Sequence, residues 1–126
     1  MTWLYSTTKL VSSGTWLYKI LDPKVGDALW FSFYILDAII DIQGAKNAKS
    51  AGDESKEEWL RSRAVATLEL AKKYLDALAK SGGIDAEQAE EAKKAIDYAI
   101  EAINIGGYDA ALFTLYGNMR ALARGV

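Results

Sequence analysis

Cysteine and histidine are both absent from the chain's 126 residues. Without cysteine there is neither a disulfide framework nor thiolate chemistry. Without histidine, Ser-His-Asp and Cys-His catalysis, His-ligated haem and the usual zinc sites are excluded. A metal centre would have to be built from carboxylates alone, and no Glu-x-x-His pair suggests a di-iron bundle, so no metal and no cofactor are expected. Proline occurs once, at position 23. Charge of one sign is also lacking: the net charge is −2, and the short basic runs Lys72-Lys73 and Lys93-Lys94 stand among acids. That balance gives no electrostatic case for nucleic acid. The most apolar run, Ala28 to Ile42, is too short to span a bilayer and contains Asp37 and Asp41. The N-terminus has no basic lead and no small-residue cleavage site. The expectation is a soluble chain, cytoplasmic if expressed in a cell, that engages neither membrane nor nucleic acid.

Apolar residues make up 51% of the chain and charged ones 25%, which suits one domain over 1–126 with one core. No segment alternates with strand period, so the fold class is all-α. Helices are expected over Thr2–Leu21, from Lys24 or Asp27 to Lys49, from a Ser55 cap with Glu58 completing a capping box to Ser81-Gly82-Gly83, and from Ile84-Asp85 onward. Gly106-Gly107 stops or kinks the fourth helix, and Tyr108-Asp109 restarts a stretch to about Arg124. Short connections favour antiparallel neighbours, giving an up-down bundle of four long helices with the last broken at Gly106-Gly107.

Helical projection at about 100° per residue separates faces. On the third helix Leu60, Ala64, Thr67, Leu68, Ala71, Leu75 and Leu78 face inward. On the fourth, Ala92, Ile96, Ala99 and Ile103 do so. The second helix is apolar over most of its circumference. Its expected core arc holds Leu29, Leu36 and Ile40, with Ser32 and Gln43 among them. Phe31, Ile35, Ala38 and Ile42 then lie on a side the core need not cover, which suits a homodimer seam or a partner helix.

The first helix carries a conflict. Ser6, Thr7, Ser13 and Gly14 fall among Trp3, Leu10, Leu17 and Leu21, where a core normally wants bulk. Each Leu-to-small change in a filled core costs ~2–5 kcal/mol, against a whole-domain stability of ~5–15 kcal/mol. Such a gap must be closed by a tight neighbour, internal hydrogen bonds, water or a ligand. Serine and threonine can bond the backbone carbonyl four residues back, and for any single residue that suffices. The same misplacement recurs at Ser32, Thr67, Thr114 and Asn118, and the set points to a ligand pocket.

Arg63 lies just inside the edge of the third helix beside Tyr74. It either snorkels to solvent or anchors a ligand carbonyl or carboxylate, or pairs with Asp37. Asp37 is either a solvated helix residue four before Asp41, or a carboxylate that binds a ligand amine or acts as a base. Trp16, Trp30 and Trp59 project to the sides of their helices, as boundary residues or as caps that stack on a flat ligand. The expected pocket comprises Trp3, Ser6, Thr7, Leu10, Ser13, Gly14, Ser32, Asp37, Arg63, Thr67, Tyr74, Thr114, Leu115 and Asn118. Its occupant is a small, mostly apolar, aromatic molecule, and the bundle is expected to be monomeric. The alternatives are a simple proton-transfer catalyst, with Asp37 as base or Lys9 as a Schiff-base amine, and a helical interaction or homodimerisation module.

The stretches IDAEQAEEAKKAIDYAIEA and WLRSRAVATLELAKKYLDALAKSGG resemble computationally designed helical bundles, over roughly residues 55 to 105. The segment TTKLVSSGTW departs from that regularity. The resemblance implies binding of a drug-like molecule or, less often, simple proton-transfer or retro-aldol chemistry. GGYDAALFTLYGNMRALA loosely resembles the last helix of archaeal helical domains of the HEPN type. That family's Arg-x-x-x-His ribonuclease motif has no counterpart here, which argues against nuclease activity.

Overall fold

The computed structural model describes the backbone of residues 23–125 and the side chains of residues 26–122. Four α-helices and no strands occur among the described residues: α1 (Pro23–Ser50), α2 (Glu54–Ser81), α3 (Ala86–Asn104) and α4 (Tyr108–Gly125). Consecutive helices are joined by turns of three or four residues, so each packs antiparallel to the one before. Helix α1 packs most extensively on α2, α3 on α4, α2 on α3, and α4 returns to α1. The four described helices therefore close an up-down ring. The expected all-α bundle is present, and the glycine break proves to be a full reversal that makes α3 and α4 two separate helices.

The boundaries have local causes. Pro23 opens α1, where its missing N–H costs nothing. Helix α2 is capped by Asp53, whose side chain accepts from the Lys56 N–H at 3.1 Å. Ser55 therefore lies inside the helix, two residues past the cap it was expected to form. At its other end Gly82 adopts φ 81°, and the Gly83 N–H reaches the Leu78 carbonyl at 2.8 Å. Helix α3 starts with the expected reciprocal box: Gln88 N–H donates to Asp85 at 2.7 Å, and Asp85 N–H donates to the Gln88 side chain at 3.0 Å. Gly106, at φ 79°, ends α3, and the Gly107 N–H closes on the Ala102 carbonyl at 2.7 Å. A left-handed residue there turns the chain back on itself instead of bending it.

On α2 and α3 the expected inward residues are buried, except that Thr67 is half-buried at the edge. The register between these helices is held by Lys72, 2.7 Å from Asp97, and Lys93, 2.6 Å from Asp76. Such exposed pairs add little energy but favour one alignment over its neighbours.

Helix α1 is turned the other way from the expectation. Phe31, Ala38 and Ile42 are fully buried and Ile35 nearly so, so the proposed external seam is the core. Ile40 is 67% exposed and Gln43 is exposed, although Leu29 and Ser32 of the same arc are buried. The cause is composition. A helix apolar nearly all round has no strong period to mark its inner face, and packing against α2 and α4 chooses it. By length and composition Gly26–Ser50 would also cross a membrane, as core helices often would, and 56% of its most apolar stretch is buried inside the protein.

Candidate functional site

The seam between α1 and α2 gathers four of the described candidates, Asp37, Arg63, Thr67 and Tyr74, with further aromatic and acidic residues. On α1, Trp30, Tyr34, Asp37 and Asp41 recur at helical spacing along one flank. On α2, Trp59, Arg63, Thr67 and Tyr74 do the same. Antiparallel packing sets the two flanks against each other.

At one end lies an aromatic stack. The Tyr34 and Tyr74 rings are 5.5 Å apart at an interplanar angle of 26°. Trp30 stacks on both, at 6.0 Å from Tyr34 and 6.4 Å from Tyr74. Phe33 stands edge-on to Trp30 and Tyr34. Such offset and T-shaped pairs contribute ~0.5–1.5 kcal/mol each beyond their buried area.

At the other end lies a charged pole. Arg63 Nε is 3.4 Å from Asp41 Oδ2, and its guanidinium lies 4.8 Å from the centre of the Trp59 ring. The Asp41 side chain is 5% exposed and that of Arg63 45%. Asp41 Oδ2 has no aligned hydrogen bond, so the contact is an ion pair only. Burial raises the Asp41 carboxyl above its ordinary 3.8; Arg63 pulls it down, and the neighbouring Asp37 charge pushes it up. Two carboxylates and one guanidinium leave this pole one negative charge in excess.

The expected site is thus only partly assembled. Asp37, Arg63, Thr67 and Tyr74 share the α1–α2 seam. Arg63 reaches Asp41 and not Asp37, because Asp41 is the carboxylate level with it. Ser32 is buried on α1 but two residues from Tyr34, hence on another flank, and it has an interaction partner. Leu115 is core, at 1% exposure. Thr114 and Asn118 are half-buried and share a flank of α4 with Ala110, which borders α3. Trp3, Ser6, Thr7, Lys9, Leu10, Ser13 and Gly14 lie outside the described residues. Trp30, Tyr34 and Asp41 are seam residues the sequence reading did not place in the site; their spacing of four, then seven, along α1 is the signal that carried them.

A second polar cluster had no local signal at all. The Tyr108 hydroxyl donates to Glu57 Oε2, which Arg61 also contacts at 3.3 Å. Lys49 lies 5.7 Å from the Tyr108 ring centre and donates to the Gly106 carbonyl at 3.3 Å. Burial raises the Tyr108 hydroxyl above its ordinary 10.0, as does its bond to Glu57, while Arg61 opposes both. This cluster ties the α3–α4 turn to α2 and α1.

Two further features complete the described surface. No group of three or more Asp and Glu that could hold a metal occurs among the described residues. A cleft of about 450 Å³ opens at the α3–α4 turn, with Tyr98, Ala102, Ile105 and Ala110 on its walls and Glu101 and Asn104 at its rim. No family model, curated protein or solved structure matches this chain.

Proposed function

We propose that the protein binds a small, mostly apolar, aromatic molecule along the α1–α2 seam, with an amine end toward Asp37 and Asp41. The observation that carries this reading is the pairing, on one seam, of a three-ring aromatic stack with a charged pole in which Asp41 is buried and Arg63 half-exposed. Small-molecule sites have that form: much apolar wall and few placed polar groups. The excess carboxylate selects a cationic ligand, and the stacked rings select a flat one. The resemblance of residues 55 to 105 to designed ligand-binding bundles supports the same reading.

The test is titration with a planar aminoacridine, followed by tryptophan fluorescence and thermal melting. Saturable quenching and a rise in Tm are expected. Tyr74→Ala abolishes both, and Asp41→Asn weakens binding of the cation more than that of a neutral acridine. A titration without saturation, or binding indifferent to both substitutions, overturns the proposal.

One observation favours a second reading, proton transfer. Here the base is Asp41 and not Asp37, because Asp41 is the carboxylate that burial raises. Turnover of an activated proton-transfer substrate would then vanish in Asp41→Asn and persist in Asp37→Asn.

A further inference from the structure

Arg63 holds Asp41 loosely. Its Nε stands 3.4 Å from Asp41 Oδ2, out of line for a hydrogen bond, and its side chain is 45% exposed. The guanidinium also lies over the Trp59 ring, 4.8 Å from its centre. Trp59 is one turn earlier on the same helix, so Arg63 can leave Asp41 without leaving Trp59. Asp41 is in the opposite condition. Its side chain is 5% exposed, and the buried Oδ2 accepts no hydrogen bond among the described residues. A carboxylate taken out of water is ordinarily hydrogen-bonded. Here the cation beside it supplies charge and no bond.

The aromatic stack lies within a small molecule's reach of this oxygen. Tyr34 and Asp41 are about 10 Å apart along α1, at about 1.5 Å per residue. Asp37, half-buried and outside every ion pair among the described residues, stands between them on the same flank. A ligand whose ring lies on the Tyr34–Tyr74 stack therefore points an amine arm past Asp37 toward Asp41.

We infer that Arg63 is a displaceable plug: a bound cation that carries an N–H donor takes its place beside Asp41, and Arg63 withdraws onto the Trp59 face. This role deepens the ligand reading of the α1–α2 seam and rests on it. The exchange keeps a positive charge beside Asp41 and adds what Arg63 does not give, a charge-assisted hydrogen bond to Oδ2. Withdrawal of the guanidinium vacates a space that an ammonium or amidinium group fits. The ligand class follows. It is a protonated amine or amidine, and not a quaternary ammonium, which brings charge without a donor. Arg63 seated on Asp41 also lowers the apparent affinity, because molecules in that state cannot take the ligand's amine at Asp41.

Two probes with the same ring, arm and charge test this role: naphthylethylammonium and its trimethylated form, titrated against the full chain. The primary ion is expected to bind about tenfold or more tightly than the trimethylated one. Asp41→Asn erases that difference and Asp37→Asn keeps it. A preference set only by the bulk of the methyl groups would survive Asp41→Asn. Arg63→Met keeps the apolar stem and removes the plug, and it is expected to tighten binding of the primary ion by about tenfold. Circular dichroism checks that this variant folds. The unsubstituted chain gives a second readout by nitrogen–proton correlation spectroscopy. Its Arg63 Nε–H resonance should move on saturation with the primary ion and stay in place with the trimethylated one. Equal affinity for the two ions, a preference that survives Asp41→Asn, or an unmoved Arg63 resonance overturns the inference. So does unchanged or weaker binding in a folded Arg63→Met, which would make Arg63 an anchor instead. A seam that takes an aminoacridine but neither naphthyl ion also overturns it, and leaves the ligand reading standing. Binding of neither the naphthyl ions nor the aminoacridine brings down the ligand reading itself, and this role with it.

Discussion

Arg63 is a half-exposed cation standing 3.4 Å from the buried carboxylate of Asp41. The two partners therefore stand to lose different things. Arg63 without Asp41 swings into water; Asp41 without Arg63 is left charged in a poorly solvated place. Removing the exposed partner is the costlier change. Arg63→Ala is expected to lose about 1–3 kcal/mol at neutral pH. In an Asp41→Asn background the same substitution costs much less. A double-mutant cycle by urea denaturation measures the difference. Equal losses in both backgrounds would refute the coupling.

The same carboxylate sets a pH dependence. Asp41 is raised above 3.8 in the folded protein, so the native state holds this proton more tightly than the unfolded chain. Its stabilising contribution is complete below 3.8 and is lost as pH rises through the raised native value. Around neutral pH the ionised group is a net cost to folding. Asp41→Asn should flatten the stability profile between 3.8 and that native value, and should leave the protein no less stable at pH 7. Denaturation midpoints measured as a function of pH decide this.

Tyr108 predicts the opposite limb. Its hydroxyl is raised above 10.0, chiefly by burial, so the neutral form is favoured in the fold. That stability is complete below 10.0 and is lost as pH rises through the native value. Tyr108→Phe removes this alkaline limb. It also deprives Glu57 of a donor, at about 1–2 kcal/mol at neutral pH. Thermal melts at neutral and alkaline pH separate the two effects.

The orientation of α1 is tested by two substitutions chosen from opposite sides. Phe31 is fully buried and Ile40 is 67% exposed. Phe31→Ala should cost ~3–5 kcal/mol, and Ile40→Ser should stay within about 0.5 kcal/mol. A reversed order in chemical denaturation would mean that the helix faces the way its sequence alone suggests.

Two glycines should respond in opposite directions to alanine. Gly106 holds φ 79°, and an added Cβ would also come within 3.1 Å of Lys49 Nζ. Gly106→Ala is expected to cost about 1–2 kcal/mol. Gly117 is helical with open space around it, so Gly117→Ala should stabilise the fold by up to ~1 kcal/mol. Tm at low protein concentration reads both.

The α2–α3 half was legible residue by residue. Leu60, Ala64, Leu68, Leu75, Ile96 and Ile103 are buried where a period of 3.6 places them. Asp85 and Gln88 form the box their spacing announces. Both cases are local, since an amphipathic stripe or a cap is complete within a few turns of chain. Asp53 in place of Ser55 is a small miss of the same kind, because both can cap and only the turn geometry chooses. Of the expected site, Arg63, Asp37, Thr67 and Tyr74 reach one seam, while Thr114 and Asn118 go to another.

The existence of the four described helices, the box that starts α3 and the inner faces of α2 and α3 were therefore determined by sequence alone, through propensity, capping and amphipathic period. Tertiary structure decided which side of the apolar α1 turns inward, that Asp41 and not Asp37 meets Arg63, and that Tyr108 reaches Glu57 across 51 positions. Those outcomes depend on the register between helices far apart in the chain. No local period encodes that register; packing complementarity sets it once the elements meet.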